Sequence, residues 1–208
     1  MDLAIFSRLG NLIGSPKKVE EFFNKEIVGE KTIQDVGNLL AAIITVNIIS
    51  SAIGLIVTKN ADFGTIIIAQ IALAVIFIIS FFVGAFGIHA ISKFIFRNDG
   101  KFLNLTYLLA IMAILNAFLN LLLMPVVLID STKAIAPIIS VAILGYKLYL
   151  DFFAIKSTYK ITNIESAKVF LTNIIIWTVI LVGGSLLIFS FASQISGTSG
   201  AITSGMQY

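Results

Sequence analysis

The sequence predicts an all-α, polytopic membrane protein, a bundle of five transmembrane helices with an amphipathic N-terminal arm. Three observations predict it. The chain of 208 residues is 58% hydrophobic and 12% charged with a mean hydropathy of +1.03, whereas soluble domains average roughly 45–50% and about 25%. Its apolar residues gather in runs such as IIIAQIALAVIFIISFFVGAFGI, longer than the roughly 20 residues that carry a helix across about 30 Å of hydrocarbon. Those runs lack the period-two alternation that a membrane β-barrel requires.

The expected organisation is a cytoplasmic arm over 1–35, a five-helix transmembrane domain over 36–192 and a flexible non-cytoplasmic tail over 193–208. In the arm, Leu3, Phe6, Leu9 and Ile13 recur at helical spacing and leave Ser7, Arg8 and Asn11 on the polar side. The opening MDLAIFSRLGNLIG has Arg8 inside its short apolar stretch instead of before it, so no cleaved secretory signal is expected. Ser15 is placed as an N-cap with Pro16 at the first helical position, where a missing N–H costs nothing. Val19, Phe22, Phe23 and Ile27 then form one apolar stripe, ended by Gly29. Such helices lie on the membrane surface or pack under the bundle.

Thr32 and Asp35 match a capping box that opens the first span, Val36 to Val57. Lys59, Asn60 and Asp62 make a turn, and span two runs from Phe63 to His89. Span three covers Phe102 to Leu123, stopped by Pro125; span four covers Ala134 to Ile155 with Pro137 in its first turn; span five covers Lys168 to Phe191. Basic residues set the sidedness. Arg8, Lys17, Lys18, Lys25 and Lys31 in the arm, Lys93, Arg97 and Lys101 after span two, and Lys156, Lys160 and Lys168 after span four share one side, against Lys59 and Lys133 on the other. The expectation is a multi-pass cell-membrane protein with its N-terminus in the cytoplasm and its uncharged tail outside, in Golgi or ER membrane if eukaryotic.

The chemistry that the sequence offers is sparse. With no cysteine and one histidine there is no disulfide, thiolate site or His-x-x-x-His pair, so neither metal nor cofactor is expected. A formal charge of +3 is too small to argue for nucleic acid. Lys147 and Asp151 are the strongest anomaly, since a charge in hydrocarbon costs at least about 2.5–3.5 kcal/mol. Four apart on one helix face, and roughly 20 and 26 Å in from the outer side by the helical rise, they suit an ion pair or a snorkelling lysine. A transport role is the alternative.

His89, Lys93 and Arg97 fall at i, i+4 and i+8, a basic ladder where the second helix leaves the membrane. With Lys101 they are candidates for anionic lipid headgroups or a partner, worth about 1 kcal/mol per basic residue near the surface. Asn47 with Ser51, and Asn116 with Asn120, place polar groups on one helix face each. Small residues (Ser50 with Gly54, Ala113 with Ala117, Gly84 with Gly87) allow close helix approach. No Ser/His/Asp set, phosphate loop or intraspan carboxylate pair is present, so no enzymatic activity is expected.

The arm SPKKVEEFF, the stretch His89 to Lys93 followed by Asn98-Asp99-Gly100-Lys101-Phe102, and LYLDFFAIKSTYKITNIESAKVFL with Ser166-Ala167-Lys168 together resemble the short prokaryotic form of the Yip family, five-span proteins named for interaction with Ypt/Rab GTPases. The chain lacks a proline early in span three and has one glycine in the 98–102 turn. The resemblance implies a cytoplasmic N-terminus, five helices, no catalytic residue and, in eukaryotic members, a part in vesicle traffic; no GTPase-contacting residue carries over. The expected function is a non-enzymatic organiser of membranes, or a subunit binding other membrane proteins or itself. The alternative is a small transporter or channel using Lys147, Asp151 and the span asparagines.

Overall fold

A computed structural model describes residues 16–29, 31–58, 63–128 and 134–179. Every secondary-structure element among them is helical: α1 (Pro16–Glu26), α2 (Ile33–Thr58), α3 (Phe63–Ala90) continued by a π-helical turn (Ile91–Ile95), α4 (Phe102–Leu128), α5 (Ala136–Tyr159) and α6 (residues 163–179). Four stretches, Ile33–Ile53, Gln70–Ile95, Phe102–Leu123 and Ala136–Tyr159, are long and apolar enough to cross a membrane, which suits a multi-pass membrane protein. The expected fifth span falls within the described residues only as far as position 179. Residues 1–15 with the Ser15 cap, the turn at Lys59, Asn60 and Asp62, and the tail lie outside them. The chain divides into two compact units, Met1–Phe170 and Leu171–Tyr208, and the packing below is that of the first.

The central helix is α4. It packs on α2, α5 and α3, and Leu105, Leu108, Ala110, Ile111, Met112 and Ile114 are all at most 2% exposed. A helix enclosed by others must be apolar around its circumference, as α4 is. The outward faces of α3 and α5 are also aliphatic: Ile71, Ile76, Ile79 and Phe86 on one, Ile138, Val141 and Leu144 on the other, each more than half exposed. In water so large an apolar surface would drive aggregation. In hydrocarbon it meets a matching solvent, and the helices satisfy their own backbone groups.

The amphipathic α1 is packed under the bundle. Val19, Phe22 and Phe23 are buried, joined by the half-buried Ile27, in one cluster with Leu150, Phe153 and Ala154 of α5. Glu20 accepts a hydrogen bond from Lys156 Nζ at 2.7 Å across that contact, and Tyr107 of α4 donates to Glu26 at 3.3 Å. Gly29, at φ +89°, ends the segment in a conformation that side-chain-bearing residues rarely adopt.

Two capping boxes fix helix starts. Thr32 N–H and hydroxyl both donate to Asp35 Oδ2 at 2.8 Å, and Asp35 N–H returns a bond to Thr32 Oγ1 at 3.2 Å. Thr162 and Glu165 repeat the arrangement at 2.9, 3.0 and 3.3 Å. The second box starts α6 at residue 163, five residues before the expected Lys168. Ser166, fully buried, then donates to the Phe152 carbonyl at 2.8 Å and ties α6 to α5.

Several boundaries differ from expectation for clear reasons. Pro125 does not stop α4, which runs on to Leu128; proline's φ is helical, and it removes one N–H that a membrane helix tolerates losing. Helix α5 continues four residues past Ile155, to Tyr159, because Ser157, Thr158 and Tyr159 pack inside, each at most 6% exposed. Gly84 does not serve close approach, since a Cβ there would meet nothing within 4 Å; Ala85, 1% exposed, is the packed residue.

Candidate functional site

The groups with chemistry in the first unit collect where the ends of α1, α3, α4 and α5 meet. Helix α3 loosens there: Phe96 N–H bonds the Ile91 carbonyl at 3.2 Å, a π-type bond, and Asn98 N–H bonds Ser92 at 2.9 Å. Arg97 between them has φ +55°. The π turn adds a residue to the spiral, and Arg97 is no longer helical, so the basic ladder of His89, Lys93 and Arg97 is not formed. Lys93 and Arg97 are exposed.

His89 turns inward. Its Nδ1 shares a hydrogen bond of 2.8 Å with the hydroxyl of Tyr159, the last residue of α5. The imidazole also meets Phe102 edge-on at 5.4 Å between centroids, and Phe102 meets Phe86 at 6.5 Å. His89 therefore locks the end of α3 to the end of α5. Asp151 accepts from Lys147 Nζ at 3.0 Å within α5. Asp151 is 9% exposed, while the Lys147 side chain is 40% exposed; the lysine reaches outward from a buried carboxylate, as snorkelling predicts.

The Asn98–Lys101 turn folds over Tyr159, and here a glycine is required. A Cβ on Gly100 would lie 2.6 Å from Tyr159 Cε1 and 3.1 Å from the Thr158 carbonyl oxygen. The turn thereby walls a cleft of about 800 Å3. Glu20 and Asn24 of α1 form one side, Asp99 to Lys101 and Asn104 a second, and Lys156, Ser157, Thr158, Lys160 and Ile161 at the end of α5 the third. Helix α5 ends in a Schellman turn, with Ile161 N–H on the Lys156 carbonyl at 3.3 Å and Lys160 at φ +51°, a position that glycine usually fills.

Ser157 and Thr158 line this cleft. They are 3% and 6% exposed, and Ser157 Oγ and Thr158 Oγ1 have no hydrogen-bond partner among the described residues. Asn104 Oδ1 accepts from Lys31 N–H at 3.4 Å, which leaves its amide NH2 as a donor. The cleft thus holds lysine ammoniums, hydroxyls and amide donors against two carboxylates, one of which Lys156 already engages. Beyond the spans, the Thr162 backbone and side-chain hydrogen bonds hold the Glu165 carboxyl below the ordinary glutamate range, with Lys168 adding to the effect.

Of the binding candidates named from the sequence, His89, Lys93, Arg97 and Lys101, Lys101 alone lines this cleft. Asn47 borders a second cleft, of about 290 Å3, with Ser50, Ser51 and Gln70 between α2 and α3. Asn116 is half-buried and Asn120 exposed on α4. Among the described residues no three of His, Asp and Glu converge as metal ligands. Tyr159, Ser157 and Thr158 are not among the sequence-derived candidates, and Lys160 is there only as a marker of sidedness; the Lys-rich exit of span four is the signal that points toward them. No family model matches the chain, and neither a curated protein nor a solved structure matches it.

Proposed function

We propose that the chain is a non-enzymatic integral membrane protein that organises membranes or binds other membrane proteins as a subunit, a Yip-like role. One observation carries the reading: α1 is clamped beneath the bundle by Phe22, Phe23 and the Glu20–Lys156 pair, at the end where the span-linking lysines gather. A fixed amphipathic element beside basic loops suits contact with anionic headgroups and with neighbouring proteins at the interface. By the distribution of basic residues this end is cytoplasmic, with the C-terminus on the far side of the cell membrane. Contact with a GTPase is one form such partnership could take, and no residue here singles it out.

A photo-crosslinker at Arg97 of the full chain, in its native membrane, tests the reading. Discrete protein adducts from Arg97, absent when the crosslinker sits at the outward Ile76, are expected. The same adducts from both positions would refute it.

The buried Asp151 with its Lys147 partner supports the alternative of a small transporter or channel, since ionisable groups inside a membrane mark ion paths. Solute or proton flux in liposomes holding the wild type, lost in Asp151→Asn, would favour it over the organiser reading.

A further inference from the structure

From the cleft at the basic end we infer a binding site for a phosphate monoester, the group carried by phosphatidic acid and phosphorylated headgroups or by a soluble phosphate ester. The inference deepens the proposed function by naming the headgroup chemistry, and it rests on that reading's placement of this end at the membrane interface.

The first support is the pair of orphaned hydroxyls. A buried hydroxyl without a partner is costly, and native structures rarely leave two adjacent ones. Among the described residues Ser157 Oγ and Thr158 Oγ1 are in that state, on residues lining a cleft of about 800 Å3 that has room for a headgroup. The second is the donor set around them. Lys101 and Lys160 bring positive charge, and the Asn24 and Asn104 amides bring further N–H groups. A phosphate monoester, with close to two negative charges near neutral pH and three strong acceptor oxygens, uses such a set more fully than a carboxylate does.

The third is the backbone. Helix α4 begins at Phe102, so the positive end of its dipole lies beside Lys101 and Asn104 of the cleft wall. The α5 C-terminus has the opposite sign, but its Lys156 carbonyl is occupied by the Ile161 N–H. Lys160 also holds a left-handed conformation that costs a lysine more than a glycine.

Two variants separate binding from folding. Thr158→Val removes a hydroxyl that has no partner among the described residues and keeps the shape. Lys160→Gly removes the charge and relieves the backbone. Thermal melting of the full chain in detergent micelles, at constant ionic strength, is followed with dihexanoyl phosphatidic acid, dihexanoyl phosphatidylglycerol and inorganic phosphate. Phosphatidic acid is expected to raise the wild-type melting temperature. The half-saturating concentration should rise by about fivefold or more in each variant, the size of one lost hydrogen bond or ion contact, with the ligand-free melting temperature not lowered.

A shift that inorganic phosphate reproduces in full assigns the site to a soluble phosphate; one confined to the lipid assigns it to a headgroup. Both support the proposal. No shift with either probe, or a shift that both variants retain unchanged, would overturn it. An equal shift with phosphatidylglycerol, indifferent to both variants, would mean diffuse attraction: the basic-end reading would stand and the cleft site would fall.

Discussion

Gly100→Ala should destabilise the protein out of proportion to one methyl group. The added Cβ would lie 2.6 Å from Tyr159 Cε1, where carbon atoms prefer about 3.5–4.0 Å. The ring cannot swing aside: Tyr159 is 4% exposed and its hydroxyl is held by His89 at 2.8 Å. The backbone oxygen of Thr158, at 3.1 Å, blocks the other direction. Overpacking of this kind costs about 1–3 kcal/mol, and losing the His89 bond as the ring is displaced adds about 0.5–1.5 kcal/mol. The sum is about 1.5–4.5 kcal/mol.

Reversible unfolding of the full chain in mixed micelles measures it. Tyr159→Phe, which removes only the hydroxyl, should cost the smaller part alone. Tyr159→Ala is expensive by itself but makes room for the methyl group, so Gly100→Ala added to it should cost little more. Residues in contact couple by about 0.5–3 kcal/mol, whereas independent sites add within about 0.3–0.5 kcal/mol. If the costs of Gly100→Ala and Tyr159→Ala add within that margin, the turn does not rest on the ring and the account of this corner is wrong.

Phe23→Ala, at a side chain with no exposure, should cost about 3–5 kcal/mol and open the 16–29 segment to limited proteolysis; a segment as resistant as in the wild type would mean that α1 is held elsewhere. Lys160→Gly should raise stability by up to about 1.5 kcal/mol, since the left-handed cost of about 1–2 kcal/mol equals or exceeds glycine's entropic loss of about 0.5–1 kcal/mol; a lower melting temperature would contradict this. Lys147→Met should destabilise more than Asp151→Asn, because the first strands a buried carboxylate while the second leaves a lysine that reaches water. The reverse order in unfolding measurements would contradict the snorkelling assignment. Glu165 has a carboxyl held below its ordinary value in the folded chain. Its contribution is therefore complete above the ordinary glutamate value of 4.5 and is lost as pH falls through the lower folded value. Melting curves between neutral and acid pH should show that loss diminished in Glu165→Gln, and identical profiles would refute it.

Much of the local structure was legible because it is written in local spacing. The stripe Val19, Phe22, Phe23 and Ile27 announced a one-sided helix, and Thr32 with Asp35 announced a helix start. Thr162-Asn-Ile-Glu165 carries the same signal for the start of α6, and the longer apolar run from Lys168 masks it. Less of the candidate site was legible. His89 was visible as an anomaly, yet its partner lies 70 residues away, and nothing in the 98–102 turn says that Gly100 must clear a tyrosine ring.

What the sequence determined by itself is what depends on transfer energy and on neighbours within a turn or two: a helical membrane protein, the approximate spans, the asymmetry of basic residues and the amphipathic α1. What only the tertiary structure decided is which of two allowed places α1 takes, whether His89 faces lipid or Tyr159, and which lysines share a cleft. A π turn of five residues at Ile91–Ile95 was enough to dissolve a ladder that ideal helical spacing supports. Such outcomes depend on packing between segments distant in the chain, where the favourable choice is set by the shape and polarity of the surface each helix meets. Composition and periodicity carry no information about that surface until the helices have assembled.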